Sequence, residues 1–476
     1  MSRPAAWPIP GSAFPAAAIA VAFGWATPAE AQDAATVAAL RSELQSMRTQ
    51  MQAMDAKIDS LEAQLSEANA RTASRASAET APAAPPSVTA KPPATIAWDG
   101  APRIEAAIDP KDPSAGKWSF KPRGRLQIDA ATVNAPSRVM ANGSLGYATE
   151  FRRAFLGAEG TLPGNFGYRL EVDLANSAVE LTDVFLTYKP TAQTTLTLGQ
   201  HKPFWGLEEL TSDLFTSFME RAAFASAFGF ERRVGLSAQY AKDALLLQGG
   251  VFTDNAADLT NDSNNSYSVD GRAVFAPRLG GGVLHVGGSV HLRDFNDQAT
   301  TARYRARPFV HTTDVRLIDT RAFSATGERS YGAELAYIAG RFRATAEGHR
   351  IVARRRGSPD PTFQGGYVEI GYLLTDDVTA YKGGVYDRIR PKHGLDSGGI
   401  GALQINARYD FLDLNDAGVV GGRHQVAGAS LVWIPTDYVR FILNYGRLWI
   451  EDAAVAAGLD RNYTADSLGM RAQFDF

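Results

Sequence analysis

The sequence predicts an all-β fold: a transmembrane antiparallel β-barrel of sixteen strands, with eighteen as the alternative, preceded by an α-helical coiled coil. Three observations predict it. Apolar and polar residues alternate with a period of two through the last three quarters of the chain, and the polar positions are ionised. Short turns alternate with long polar connections, and the chain stops on an aromatic residue, Phe476, at the end of such a strand. In the closing stretch Leu468, Met470, Ala472, Phe474 and Phe476 share one face, and Gly469, Arg471, Gln473 and Asp475 share the other. A soluble sandwich also alternates, but its polar face has no need to be so consistently charged.

The totals suit this fold. The 476 residues include 44 glycines and 10% aromatics, as a sheet with many turns and ring-rich girdles requires. Mean hydropathy is −0.18, and beyond the N-terminus no apolar run is long enough for a membrane helix. A net charge of −3 points neither to nucleic acid nor to a particular solute. The absence of cysteine excludes a disulfide scaffold and thiolate metal sites, and no cofactor is expected.

At the N-terminus, Arg3 precedes an apolar run at 13–26 and the small-residue pattern Ala29-Glu30-Ala31. Residues 1–31 therefore read as a secretory signal, with a short membrane anchor as the alternative. In 33–70 the apolar positions Val37, Leu40, Leu44, Met47, Met51, Met54, Ile58, Leu61 and Leu65 step by three and four without interruption. Such a seam predicts a left-handed coiled coil, the alternative being one amphipathic helix lying on the barrel. Its oligomer number is not readable, because methionine specifies weakly. Residues 71–117 lose all period and are rich in Ala, Pro, Ser and Thr, a semi-stiff linker.

The barrel occupies 118–476, with strands starting near residues 118, 148, 165, 180, 194, 230, 244, 267, 282, 330, 341, 362, 401, 422, 438 and 467. The segment 377–390 alternates partly but would break even parity, so it is assigned to a long periplasmic connection. Long connections at 203–228, 255–266, 296–329 and 451–466 fall on the outside, short turns on the periplasmic side. Trp433 and Tyr438, flanking the Pro435 turn, are expected in the periplasmic girdle.

One long connection is unlike the others. Residues 203–229 carry Phe204, Trp205, Leu207, Leu210, Leu214, Phe215, Phe218 and Met219. So apolar a loop must pack on something, and folding into the lumen, where it narrows a channel, is the simplest solution. A helical cap or a subunit contact outside is the alternative. In a second loop Arg303, Arg305 and Arg307 recur at a spacing of two, so an extended segment aims all three one way. The plainer reading is a rim cluster that binds lipopolysaccharide phosphates or pairs with Asp294, Asp297 and Asp314.

The words ELTDVFLTY (180–188), LTLGQHKPFWGLEELTS (196–212), FMER (218–221), RRVG (232–235), HLRDFND (291–297), YGAELAY (331–337) and ARYDFLDLND (407–416) resemble the phosphate-selective porin family of the O and P type. The resemblance runs from near Trp118 to Phe476 and leaves the coiled coil as an added module. It implies a homotrimeric sixteen-stranded barrel, an inward third loop and transport of small anions along a ladder of arginines. Lys202, Arg221, Arg232 and Arg233, at the root of the inward loop, would extend that positive field beside Arg303, Arg305 and Arg307. Phe476 would be read by the barrel-assembly machinery.

Catalysis finds little support. Glu208 and Glu209 are adjacent, as are Asp376 and Asp377, and adjacent residues on a strand point apart, whereas hydrolytic carboxylates must face each other. His285 and His291 lie six residues apart on one strand, too distant to share a metal. The remaining rival is structural: a coil reaching roughly 55 Å into the periplasm could tether the envelope to the cell wall, with the pore secondary.

Overall fold

The computed structural model describes residues 94–98, 101–107, 117–141, 143, 145–175, 178–258, 265–296 and 301–476. The predicted signal, the seam from Val37 to Leu65 and the linker up to residue 93 lie outside them. Sixteen strands build the unit from Ala90 to Phe476. They are β1 (Lys117–Asn134), β2 (Tyr147–Leu162), β3 (Phe166–Asp173), β4 (Glu180–Tyr188), β5 (Thr194–His201) and β6 (Arg233–Lys242). There follow β7 (Leu245–Phe252), β8 (Tyr267–Phe275), β9 (Gly282–Asp294), β10 (Gly327–Ala339) and β11 (Phe342–Arg354). The last five are β12 (Thr362–Leu373), β13 (Ala402–Asp416), β14 (Val419–Thr436), β15 (Val439–Glu451) and β16 (Tyr463–Asp475).

Each strand pairs antiparallel with the next, and β16 pairs with β1 from Asp466↔Asn134 to Asp475↔Arg125. Closure leaves the sixteen-strand ring without a free edge strand among the described residues, which is what a sheet surrounded by hydrocarbon requires. Among the described residues no helix is long and apolar enough to cross a membrane, so the crossings are strands. The strand count is sixteen, and the segment 377–390 contributes only the two-residue strands Tyr381–Lys382 and Val385–Tyr386 within the connection from β12 to β13. In the stretch read as linker, Thr95–Trp98 and Pro102–Ala107 form a hairpin that pairs with the start of β1. Alternation in this piece is too short to be read from the sequence. The Trp98 indole donates to the Tyr438 hydroxyl at 3.0 Å, beside the turn where Trp433 stacks on Phe441.

The molecule is apolar outside and ionised inside. On β16, Leu468, Met470 and Phe474 are 47%, 57% and 48% exposed, while Arg471 and Asp475 are 1% and 3% exposed. A water-soluble sheet would show the opposite. At the seam Phe476 exchanges backbone hydrogen bonds with Gly124 at 3.0 and 3.2 Å, and its ring occupies the place where a Cβ on Gly124 would stand. Glycine at 124 thus makes room for the terminal aromatic.

The inside is not uniform. On β14 and β15 every inward residue from His424 to Ile434 and from Arg440 to Ile450 is buried. On β3 the inward Gly167, Arg169 and Asp173 remain partly exposed. One side of the lumen is filled, and the other is open.

Candidate functional site

The filling comes from two connections that turn inward. Residues 202–232, between β5 and β6, hold two short helices, α1 (Leu207–Leu210) and α2 (Ala223–Ala227). Their apolar side chains leave water by packing against the wall: Trp205, Phe218, Phe224, Phe228 and Phe230 join Ile351, Phe363, Leu412, Val426 and Leu448 in one cluster. The second connection, 295–326 between β9 and β10, adds Tyr304, Phe309, Val315, Leu317 and Ile318 to the same cluster. Ring contacts tie the pieces together: Trp205 to Phe230 at 4.0 Å, Trp205 to His291 at 3.9 Å, and Phe218 to Phe309 at 5.7 Å between centroids.

Wall residues then fix the first loop's backbone. Arg440 donates to the Leu214 and Thr216 carbonyls at 2.6 Å each, and Arg471 donates to the Met219 carbonyl at 2.5 Å. Glu347 accepts from the Glu208 N–H at 3.0 Å and Asp410 from the Ala223 N–H at 2.8 Å, so each short helix starts on a carboxylate. Arg408 binds Glu208 at 2.5 Å and Glu369 at 2.6 Å, and lies over the rings of Phe218 and Tyr367. Burial pushes the Glu208 carboxyl up to about 7 against the pull of Arg408. Glu208 and Glu209 sit on a helical turn, not a strand, and still diverge: Glu209 turns to Lys202 and Arg221.

The open side is a cavity of about 1630 Å³ walled by β1 to β5 and by the loop. Fifteen Arg or Lys residues line it against ten Asp or Glu, so a chain of net charge −3 presents a positive interior here. At mid-depth cations on the wall face carboxylates on the loop. Arg153 reaches Asp213 at 2.5 Å, Arg125 reaches Asp213 and Glu171, and Arg152 holds Glu220 at 2.9 Å. Burial works to raise the Asp213 carboxyl, but Arg125 and Arg153 hold it well below the usual carboxylate range. Arg152 and Arg153 both point inward because a β-bulge places Arg152 as an extra residue opposite Gln127 and Ile128.

The predicted residues divide as follows. Lys202 lines the cavity and binds Glu209 at 2.5 Å; burial, then Arg221, brings its ammonium down to about 8. Arg221 lines it too, 3.4 Å from Glu209, and Arg232 lines it while binding Asp183 at 2.6 Å. Arg233 is not on the cavity wall: it is 4% exposed, on the inward face of β6. Arg232 precedes the strand and reaches the cavity, whereas Arg233 is the buried first residue of β6, a difference that sequence spacing does not carry.

Arg303, Arg305 and Arg307 all line the cavity at the loop end, while the alternating Ala302, Tyr304 and Ala306 are buried. Arg303 binds Asp319 at 2.9 Å and Arg307 binds Asp314 at 2.8 Å. The Arg305 side chain is exposed and has no partner among the described residues. Burial, then Arg307 and Arg305, bring the nearby Arg316 down to about 10, a mark of crowded positive charge. Of the proposed rim partners, Asp294 is taken by Arg354 at 2.8 Å.

Several lining cations went unread in the sequence: Arg123, Arg125, Arg152, Arg153, Arg388 and Arg390. Arg123 and Arg125 carry the same spacing of two as Arg303 to Arg307 and were within reach. Arg152 and Arg153 were not, since parity alone sends one of them to lipid. Arg388 and Arg390 come from the connection between β12 and β13, which folds into the turn-end mouth and binds Asp475 and Asp437.

Comparison with known proteins gives a consistent result. The family model described as phosphate-selective porin O and P matches residues 120–476. A protein of Caulobacter vibrioides without an assigned function is 46% identical over 392 residues, 80% of this chain and 77% of its own length. Porin O of Pseudomonas aeruginosa is 29% identical over 335 residues, 64% of this chain and 75% of its own. Among solved structures, in-vitro folded OmpT, an outer membrane protein of Vibrio cholerae, aligns with a TM-score of 0.50 at 11% identity, covering 78% of this chain and all of that one.

Proposed function

The chain belongs to the phosphate-selective porin O and P family, and on that premise we propose that this outer-membrane porin passes small anions, phosphate among them, by passive diffusion along the β1 to β5 side of its lumen. It is a channel rather than an enzyme. The observation that carries the proposal is the positive excess on the cavity wall of a chain whose total charge is negative.

Arginine stays charged at any relevant pH and meets phosphate oxygens with a planar fork. At the loop end Arg305 is uncommitted, with Arg303, Arg307 and Arg316 around it, so anions concentrate there before entering. Deeper in, every cation between Arg125 and Lys202 named above already holds a carboxylate. An anion must share those guanidinium groups with Asp213, Glu220 or Glu209, so each stop is weak and release follows. The vestibule selects, and the constriction conducts.

Chloride current through the purified porin in planar bilayers tests this. Added phosphate should lower it saturably, and Arg305→Gln should weaken that block. Current indifferent to phosphate would leave a general porin and remove the phosphate reading.

In the same reading the porin is a homotrimer whose helical seam lies in the periplasm, Phe476 is the assembly signal, and lipopolysaccharide surrounds the rim. The uninterrupted heptads favour a second role, tethering to the cell wall. Deleting 33–97 separates the two: envelope detachment with unchanged uptake assigns the coil to tethering.

A further inference from the structure

The outward face of β10 to β13 contains a furrow. In the middle of β11 the outward residues, running toward the loop end, are Ala344, Ala346, Gly348 and Arg350. Ala346 and Gly348 floor the furrow, with Leu335 on β10, Val368 on β12 and Tyr409 and Phe411 on β13 as walls, enclosing about 430 Å³. Leu335, Val368 and Tyr409 stand 51%, 54% and 43% exposed around it. A Cβ added to Gly348 would meet nothing nearer than the Gly365 carbonyl oxygen at 3.8 Å, so the space is open. Against a bilayer, an apolar groove of this kind is filled by something linear and apolar, because a void forfeits dispersion contacts.

The head of the furrow is charged. Arg350 follows Gly348 on the same row, in register with Tyr331 on β10 and Gln364 on β12. Arg329 is the next outward residue beyond Tyr331. Both arginines are exposed, and neither side chain has a hydrogen bond or ion pair to another described residue. An outward cation is costly at the bilayer midplane and nearly free at the interface, and Tyr331 marks that interface. Ala344 to Arg350 spans roughly 20 Å of strand, enough to bed most of an acyl chain.

We propose that this furrow binds one acyl chain of a phosphorylated glycolipid of the lipid A type from the loop-side leaflet, with a phosphate held between Arg329 and Arg350. The site faces away from the channel, so it is separate from anion transport. Two free guanidinium groups complement a phosphate, and their place at the loop end selects the leaflet made of such glycolipids.

Native mass spectrometry of the full-length porin in detergent, titrated with lipid A and separately with phosphatidylglycerol, tests the proposal. Wild type should retain lipid A in preference to phosphatidylglycerol. Arg329→Gln and Arg350→Gln should each weaken retention about five-fold. Gly348→Leu, which fills the furrow, should weaken it as well. Single-channel conductance should be unchanged in all three, which also reports that each barrel is closed. Equal lipid A retention in wild type and variants would overturn the site, as would equal affinity for phosphatidylglycerol. An oligomer that dissociates on Gly348→Leu, with no lipid adduct in wild type, would overturn it by assigning the furrow to a contact between copies of the chain.

Discussion

The two sides of the lumen are built from the same alternation and end up with opposite jobs. Along β11 to β16 the inward charges Glu347, Glu369, Arg408, Asp410, Arg440 and Arg471 are spent holding a loop. Along β1 to β5 Arg125, Arg152 and Arg153 also grip the loop, through Asp213 and Glu220, yet they line an open cavity. An inward-facing charge is therefore not evidence of a pore-lining charge. What decides is whether a backbone segment lies between the charge and the water.

The sharpest way to break this division is to free the loop. Arg408→Met leaves Glu208 and Glu369 buried without their shared cation, at a cost of about 3–5 kcal/mol. Conductance should rise and heat stability fall; unchanged conductance would mean the loop is held without this clamp. Next in size, replacing Arg303, Arg305 and Arg307 together by Gln should cut chloride-over-potassium preference several-fold while leaving conductance near wild type, since these side chains line the vestibule. Reversal potentials in a salt gradient measure it.

A pH titration probes both sides at once. The folded Glu208 carboxyl sits near 7, above its unfolded range, so the folded loop keeps that proton longer. Its contribution to stability is present at low pH and declines as pH rises from the carboxylate range through about 7. Current noise from loop motion should grow over that interval, and flat noise would contradict it. Lys202, brought down to about 8, loses charge as pH rises through that value, so anion preference should drop there and be insensitive to pH in Lys202→Arg. The smallest effect is expected from Arg233→Gln. That side chain is buried off the cavity wall, so selectivity should stay as it is while Arg232→Gln shifts it.

Much of the fold was legible because parity is a covalent property of an extended strand. All sixteen strands were placed within a few residues of where they start, and the segment 377–390 was correctly kept out of the ring. The inward placement of 203–229 was legible from its apolar residues for an equally simple reason. The second inward connection is less legible, because its apolar Tyr304, Phe309, Leu317 and Ile318 are interleaved with arginines that suit a solvated loop equally well. Arg152 and Arg153 needed the bulge on β2, which no local composition announces. Arg233 lies off the cavity wall, and its closeness in sequence to Arg232 carries no information about that difference in burial.

The most direct test of the central claim, that an open positive half-lumen carries anions past a packed half, is the zero-current potential of the reconstituted porin in a KCl gradient. The account predicts the sign of a chloride-preferring channel, moving toward zero when Arg303, Arg305 and Arg307 become Gln. A potassium-preferring sign that those substitutions leave in place would contradict it.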